Sequence, residues 1–113
     1  MSHRDWRARV IDMIAAIEEI QSFTAGMDFD GFRNDQRTVK ATITDFAILG
    51  EAAVHVDKTI LDARPEIPWQ VIRAMRNTLV HAYFAVDPLI LWTTIQQDLP
   101  PLLVALRALL TAK

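Results

Sequence analysis

Four polar side chains with complementary chemistry occur within one stretch of eight residues. The segment 76–83 has the sequence Arg-Asn-Thr-Leu-Val-His-Ala-Tyr. Histidine titrates near neutral pH and can therefore serve as an acid or a base. Arginine is permanently charged, and its planar donors match the oxygens of a phosphate. These residue types suit metal-free cleavage of RNA, which needs a base for the 2′-hydroxyl, an acid for the leaving 5′-oxygen and a fixed cation near phosphorus.

A helix would place these side chains on one side of the segment. Each helical residue advances ~100°, so Asn77 and His81 share a face and Arg76 and Tyr83 differ by only ~20°. Arg76 and His81 differ by about 140°, so only the long arginine side chain can bring the two groups together. One histidine cannot easily be both acid and base. We therefore expect a two-fold dimer that supplies His81 and Arg76 twice.

Structural roles explain the same residue types and, on spacing alone, are the more frequent outcome. A histidine near a helix C-terminus often interacts with the helix dipole, and a neighbouring tyrosine usually packs. A partly buried arginine commonly pairs with a carboxylate, for which Glu51 is a candidate. Glu51 is thus a supporting residue that would hold Arg76 or His81, with a plain ion pair as the alternative.

Further cations could extend a phosphate-binding surface. Arg73 lies one helical turn before Asn77, where it would lengthen the phosphate-binding strip or belong to a solvated face. Arg33, Arg37 and Lys40 form a local basic cluster, which is a weaker candidate for RNA contact.

The composition indicates one domain, residues 1–113, in a soluble protein. The chain has no cysteine and a net charge of −2, so neither a disulfide framework nor bulk attraction to nucleic acid is expected. His3 and His55 share no ligand spacing with His81, and no metal or cofactor is predicted. The longest apolar stretches are interrupted well before the ~20 residues that a membrane span needs, so no membrane span is expected. These features fit a cytoplasmic protein without a membrane anchor.

Apolar periodicity predicts two long helices in the first half of the chain. The first opens with a capping box of Ser2 and Asp5, ends near Ala25 and is followed by a loop at residues 27–31. Its inner face repeats at spacings of four and three: Trp6, Val10, Met13, Ile17 and Ile20.

The second long helix is predicted for residues 34–58, with Asn34 or Asp35 as its cap. Its inner face consists of Val39, Ile43, Phe46, Leu49 and Ala53. Gly50 lies in the middle of this helix, where glycine costs ~1 kcal/mol relative to alanine. We therefore expect a neighbouring helix to approach closely at Gly50.

Prolines divide the second half of the chain. A connector at residues 65–68 precedes a third helix that carries Trp69, Ile72, Met75, Leu79 and Ala82 inward and ends near Phe84. Asp87-Pro88 caps a fourth helix that runs to about Asp98. Pro100-Pro101 should break the chain before a short last helix with Leu102, Leu103, Leu106 and Leu110. The pattern predicts an all-α fold, an antiparallel bundle of four to five helices.

The segment Arg76-Asn77-x-x-x-His81-x-Tyr83 resembles the R-x4-H-x-Y motif of the HepT-like toxins. These form a branch of the HEPN ribonuclease superfamily, whose wider signature is R-x4–6-H. The similarity extends in order along nearly the whole chain. It includes Phe23-Thr24-Ala25-Gly26, Phe32, Asp35, Val39, Leu49-Gly50-Glu51-Ala52, Ile67-Pro68-Trp69, Met75, Ala82, Phe84, Val86-Asp87, Trp92 and Leu99-Pro100.

The resemblance implies a dimeric HEPN-like bundle with a composite cleft and metal-independent endoribonuclease activity. It also implies the toxin role in a toxin–antitoxin pair, whose minimal nucleotidyltransferase antitoxin transfers AMP from ATP to Tyr83. Arg76 and His81 correspond to the catalytic pair, and Asn77 to the polar residue that commonly follows the arginine. The alternative is a non-catalytic module that presents a substrate or nucleotide to a nucleotidyltransferase, which the acidic net charge favours.

Overall fold

The computed structural model describes residues 5–81 and 87–111, and for residues 77–81 it describes the backbone alone. All regular structure in these ranges is helical, as predicted. The helices are α1 (Trp6–Thr24), α2 (Phe29–Asn34), α3 (Gln36–Val54), α4 (Lys58–Ala63), α5 (Trp69–His81), α6 (Pro88–Thr93) and α7 (Leu99–Thr111), with a π-helical turn (Thr94–Asp98) between the last two.

The first helix buries the predicted stripe. Val10, Met13, Ile17 and Ile20 have no exposed surface, and Trp6 packs against the edge of the core. The predicted role of Asp5 in a capping box was wrong, because Asp5 is itself the cap. Its Oδ1 accepts a hydrogen bond from the backbone N–H of Arg7 at 3.0 Å. A cap needs its side chain just before the first helical turn, and Asp5 occupies that position.

The prediction of a loop at residues 27–31 was wrong for residues 29–31, where the short helix α2 begins. Asp28 caps this helix by accepting a hydrogen bond from the backbone N–H of Gly31 at 2.7 Å. Phe32 is fully buried, and its ring lies 5.3 Å from that of Trp92. Burial of this aromatic residue stabilises a helix too short to be recognised by periodicity.

The second predicted helix corresponds to α3. Asp35 caps α3 as expected, accepting from the backbone N–H of Thr38 at 3.1 Å. The predicted inner face is confirmed, with Leu49 and Ala53 fully buried. However, α3 ends at Val54 rather than near Lys58, and α4 follows after a turn. Val56 lies in that turn and is buried, so the turn adds a residue to the core while redirecting the chain.

Helices α3 and α5 pack closely and run in opposite directions. Gly50 contacts the backbone of Ile72 and Arg76, whereas Val54, one turn later on α3, lines a hollow with Gln70 from the start of α5. Trp69 and Ile72 are buried as predicted, and the Trp69 indole N–H donates to the carbonyl of Arg64 at 3.0 Å. The predicted end of this helix near Phe84 lies outside the described residues.

The predicted break at Pro100-Pro101 was wrong. Asp87 caps α6 through the backbone N–H of Leu89 at 2.9 Å, with Pro88 in the first turn as expected. The chain then continues through the π-helical turn into α7, so that both prolines lie in the first turn of α7. Proline is tolerated there because an amide in the first turn of a helix has no carbonyl partner four residues earlier in that helix.

Residues 88–111 are long and apolar enough to span a membrane, by length and composition alone. The expectation that no stretch has this length depended on the break at Pro100-Pro101. One side of the helix packs into the core through Leu91, Ile95, Leu99 and Leu106. Core helices of soluble proteins have the same composition, so the feature is weak evidence for a membrane span. The cytoplasmic location stays a prediction.

Candidate functional site

The candidate site is organised by the contact between α3 and α5 at Gly50. A Cβ atom at this position would lie 2.8 Å from the backbone nitrogen of Arg76 and 2.8 Å from the carbonyl oxygen of Ile72. Both distances are shorter than van der Waals contact allows, so only glycine permits this approach. The predicted close contact at Gly50 is confirmed, and it brings the next residue of α3, Glu51, beside Arg76.

Glu51 holds the guanidinium of Arg76. Arg76 donates from Nη1 to Glu51 Oε2 at 2.8 Å, and both side chains are about half exposed. The other carboxylate oxygen, Oε1, lies 3.2 Å from Nε2 of His55. Hydrogen bonds from Arg76 and, second, from His55 lower the pKa of the Glu51 carboxyl. Glu51 is therefore an anion at neutral pH that fixes the direction of Arg76.

The remaining residues of the motif are described less completely. Asn77 and His81 lie on the helical backbone of α5, one and five residues after Arg76. Their side chains, like the whole of Tyr83, lie outside the part of the molecule that the structure describes. The predicted assignments of Asn77, His81 and Tyr83 stay predictions.

Arg73 lies one turn before Arg76 on the same helix. Both arginines line a hollow of about 320 Å³, together with Val54, Gln70 and Ala74. Among the described residues Arg73 forms no ion pair. A phosphate-binding role of Arg73 stays a prediction.

The basic cluster of Arg33, Arg37 and Lys40 is remote from this site. Arg33 pairs with Asp30 at 3.0 Å, and its guanidinium lies over the ring of Phe29. Arg37 is in the first turn of α3, fourteen residues before Glu51, which corresponds to about 21 Å along the helix axis. The structure therefore does not bring the cluster and Arg76 together.

Two residues near the site were not singled out from the sequence. His55 was considered only as a metal ligand, yet it shares the carboxylate of Glu51; the Glu51–His55 spacing of four on a helix predicts such a contact. Asp45 is buried between α3 and α1, and its Oδ2 has no hydrogen-bond partner among the described residues. Burial and the nearby Glu19 raise the pKa of Asp45 to about 7.

Within residues 5–76 and 87–111, no three histidine or carboxylate side chains come together in a way that would hold a metal ion. The groups that the described part of the site offers are a fixed guanidinium, a second free guanidinium and an open hollow between them. This arrangement can bind a phosphodiester and stabilise added negative charge on it.

Comparison with known proteins identifies relatives over most of the chain. A family model described as "Ribonuclease HepT-like" matches residues 13–109. A protein of Thermococcus cleftensis named "Probable ribonuclease HepT" is 40% identical over 101 residues, which cover 89% of each chain. Two proteins of Methanocaldococcus jannaschii named as RNase candidates are 31% and 34% identical, covering 88% of this chain and 92% and 86% of their own lengths. No solved structure matches the chain significantly.

Proposed function

The chain belongs to the HepT-like ribonuclease family, and we propose that it is a metal-independent endoribonuclease, the toxin of a toxin–antitoxin pair. The observation that carries the proposal is the Arg76–Glu51 pair at the edge of an open hollow. An exposed pair of this kind adds little to stability, because water screens the two charges. Its main effect is to orient a guanidinium toward a space that a phosphate can enter.

In the proposed reaction, the histidine of one protomer removes the proton from a 2′-hydroxyl, and that oxygen attacks the adjacent phosphorus. The bond from phosphorus to the 5′-oxygen breaks, and the histidine of the second protomer gives a proton to the leaving oxygen. The products are a 2′,3′-cyclic phosphate and a free 5′-hydroxyl. Arg76 stabilises the negative charge on the phosphorane, with Arg73 beside it.

The requirement for two copies of His81 supports a homodimer with a composite cleft. An exposed apolar surface next to the motif helix supports the same conclusion. Val71 is 61% exposed and lines a groove of about 310 Å³ between α5 and α7, with Met75, Pro101 and Leu102. Apolar surface of this kind commonly marks a contact between proteins.

We further propose that a minimal nucleotidyltransferase antitoxin silences the enzyme at Tyr83. The phenol oxygen attacks the α-phosphorus of ATP, pyrophosphate leaves, and AMP remains on the tyrosine. The added phosphodiester would compete for Arg76, a charge-assisted contact worth ~1.5–3 kcal/mol, and the adenosine would block the cleft. The expected result is that Tyr83→Phe still cleaves RNA but escapes silencing by the partner, ATP and Mg²⁺. Silencing of Tyr83→Phe at the wild-type rate, or added mass at another residue, would refute this control.

The central test is RNA cleavage by the purified chain and by two variants. Arg76→Ala and His81→Ala should each reduce the rate by ~10²–10⁴-fold without loss of helix content, since each removes a group that acts on the reacting phosphate. Cleavage should continue in EDTA. Mixing His81→Ala with wild type should give heterodimers far less than half as active. A variant that cleaves at the wild-type rate, or full activity of a monomer, would contradict the mechanism.

A second candidate function is a non-catalytic module that presents a substrate or nucleotide to a nucleotidyltransferase. The net charge of −2 favours it, because it gives no general attraction to RNA. The same experiment separates the two functions. A binding module would leave RNA intact at every enzyme concentration while still forming a complex with the nucleotidyltransferase.

A further inference from the structure

Two neighbouring hollows share the residues Gln70 and Arg73. The smaller is the 320 Å³ hollow beside Arg76. The larger has a volume of about 680 Å³ and lies between α4 and the start of α5, where Lys58 lines its far side. Because Gln70 and Arg73 line both, the two hollows lie side by side. We call this surface, which extends from Arg76 past Arg73 and Gln70 to Lys58, the α4–α5 groove.

The α4–α5 groove is lined by three cationic side chains, Arg76, Arg73 and Lys58, and by one carboxylate, Asp62. Arg73 and Arg76 are three residues apart on α5, which places their Cβ atoms ~5–6 Å apart. Arg73 has no ion-pair partner in the described ranges, and α5 itself contains no acidic residue. Lys58 reaches Asp62 at 2.7 Å, but its side chain is 85% exposed, so this pair can open at little cost.

The larger hollow is lined in part by apolar residues, Val56, Leu61, Pro65 and Pro68, which we call its apolar floor. Its polar lining, which we call the rim, includes Lys58, Arg73 and the carboxylate of Asp62, which pairs with Lys58. A nucleotide has the complementary distribution, with a flat base and a charged phosphate. A base lying on the apolar floor would place its phosphate near the cations of the rim.

We propose that the α4–α5 groove binds the single-stranded RNA segment adjacent to the cleaved phosphate, with Arg73 and Lys58 contacting successive phosphates. The inference rests on the proposed ribonuclease function and adds the form of the substrate. Single strands fit because their bases are free to lie on the apolar floor, whereas the bases of a duplex are stacked and paired. The enzyme should therefore prefer unpaired RNA that extends several nucleotides past the cleavage site.

The first test measures binding without cleavage. Fluorescent 2′-O-methyl oligouridylates of two, four, six and eight nucleotides lack the attacking hydroxyl, so their affinities are obtained by anisotropy at several salt concentrations. Each lost phosphate contact should reduce the slope of log affinity against log salt by ~0.7. We expect this reduction for Lys58→Gln and Arg73→Gln, and about twice as much for the double variant. Arg107→Gln is the matched control, because Arg107 pairs with Glu18 between α7 and α1, away from the groove.

The same measurement includes a 2′-O-methyl duplex of twelve base pairs. We expect the wild type to bind it at least tenfold more weakly than the eight-nucleotide strand. Equal slopes for wild type, Arg73→Gln and Lys58→Gln would overturn the proposal. So would tighter binding of the duplex. If RNA slopes are equal but the groove variants no longer bind the nucleotidyltransferase, the groove is instead a protein-binding surface.

A second test uses cleavable RNA and separates this inference from the proposed function. Lys58→Gln, at a residue outside the proposed reaction, should raise KM by at least tenfold on an eight-nucleotide substrate and by no more than about twofold on a dinucleotide. An increase in KM that does not depend on substrate length would refute RNA binding by the groove and leave the proposed ribonuclease function unaffected. Absence of cleavage by the wild type would refute the proposed function, and the salt slopes would still decide whether the groove binds RNA.

Discussion

Two carboxylates of α3, six residues apart, respond to their surroundings in opposite ways. Glu51 is half exposed, and its pKa is lowered by hydrogen bonds from Arg76 and His55. Asp45 is buried, and its pKa is raised to about 7 by burial and by the nearby Glu19. The Glu51 carboxyl is held ionised by the cation of Arg76. The Asp45 carboxyl stays largely protonated below neutral pH because water is excluded from it and a second acid lies nearby.

The contact of Glu51 directs a functional group, whereas the burial of Asp45 affects the stability of the bundle. The pair of Glu51 with Arg76 is too exposed to contribute much to folding, so its effect lies in the orientation of the guanidinium. Asp45 must lose its proton inside the α1–α3 interface at high pH, which weakens the folded state. Changes at the two positions should therefore appear in different measurements.

The largest expected effect follows from Gly50→Ala, which should disturb the exposed Glu51–Arg76 pair and leave the buried Asp45 unchanged. The new Cβ would meet backbone atoms of α5 at 2.8 Å, so the helices must move apart. We expect a loss of about 1–3 kcal/mol in the free energy of unfolding and at least a tenfold loss of RNA cleavage. By NMR, the pKa of Glu51 should rise toward its usual value while that of Asp45 stays near 7.

The control for this variant is Gly31→Ala. Its Cβ would lie 3.1 Å from Oδ1 of Asp28, the oxygen that caps α2, so this variant should also lose some stability. It leaves the contact between α3 and α5 in place and should therefore retain full cleavage. Unchanged cleavage by Gly50→Ala would show that the close approach does not position Arg76.

Asp45→Asn tests the effect of the buried carboxyl group on stability. The folded pKa of about 7 lies above the ordinary aspartate value of 3.8, so the native state binds the proton more tightly. The resulting stabilisation is fully present below pH ~4 and is lost as pH rises through ~7. The variant should match wild type below pH ~4 and exceed it increasingly as pH rises, by about 1–2 kcal/mol at pH 8.5 after allowing for partial solvation. Denaturant midpoints across this range provide the measurement. A difference that does not change with pH would contradict the assignment.

Glu51→Gln should produce a smaller effect, on activity rather than on stability. The amide oxygen still accepts a hydrogen bond from Arg76, but the charge that strengthens it is lost. We expect kcat to fall about three- to tenfold, with the melting temperature nearly unchanged. Steady-state kinetics on a single-stranded substrate measure the effect. Glu18→Gln, which removes a similar exposed pair with Arg107, is the matched control and should retain full activity.

His55→Gln should have the smallest effect. It removes a contact with Oε1 of Glu51 while leaving the bond from Arg76 to Oε2 in place. We expect no more than about a twofold loss of kcat, and a partial rise in the pKa of Glu51, because His55 is the second and weaker of its two hydrogen-bond donors. A loss as large as that of Glu51→Gln would mean that the histidine itself acts on the substrate.

The long helices and their buried faces could be predicted because periodic apolar residues dominate them. Val10, Met13, Leu49 and Ile72 were all placed correctly in the core. The short helices α2 and α4 could not be predicted, because six residues contain too little periodicity and such helices form only through packing. The end of α3 was misplaced for the same reason, since the turn at Val56 is stabilised by burial rather than by a local signal.

The candidate site was predictable in part. Glycine in a helix interior costs free energy, so Gly50 indicated a close contact, and Glu51 followed as a neighbour of the approaching helix. That the neighbour would be Arg76 could not be derived from periodicity, because the register between two helices depends on the whole interface. Asp45 was missed because a single acid within an apolar stripe gives no indication of what faces it.

The π-helical turn between α6 and α7 has a consequence for the phase of the core stripe. The backbone N–H of Leu99 bonds to the carbonyl of Thr94, five residues earlier, so the turn contains one residue more than an α-helical turn. In a regular α-helix Leu91 and Leu99 would differ by ~80°, whereas with one residue looped out they differ by only ~20°. Both are buried. Deleting one residue from 94–98 would therefore give a regular α-helix that keeps Leu102 and Leu106 in phase with Leu91, whereas a regular α-helix through all the present residues would rotate both leucines by ~100° away from the core stripe.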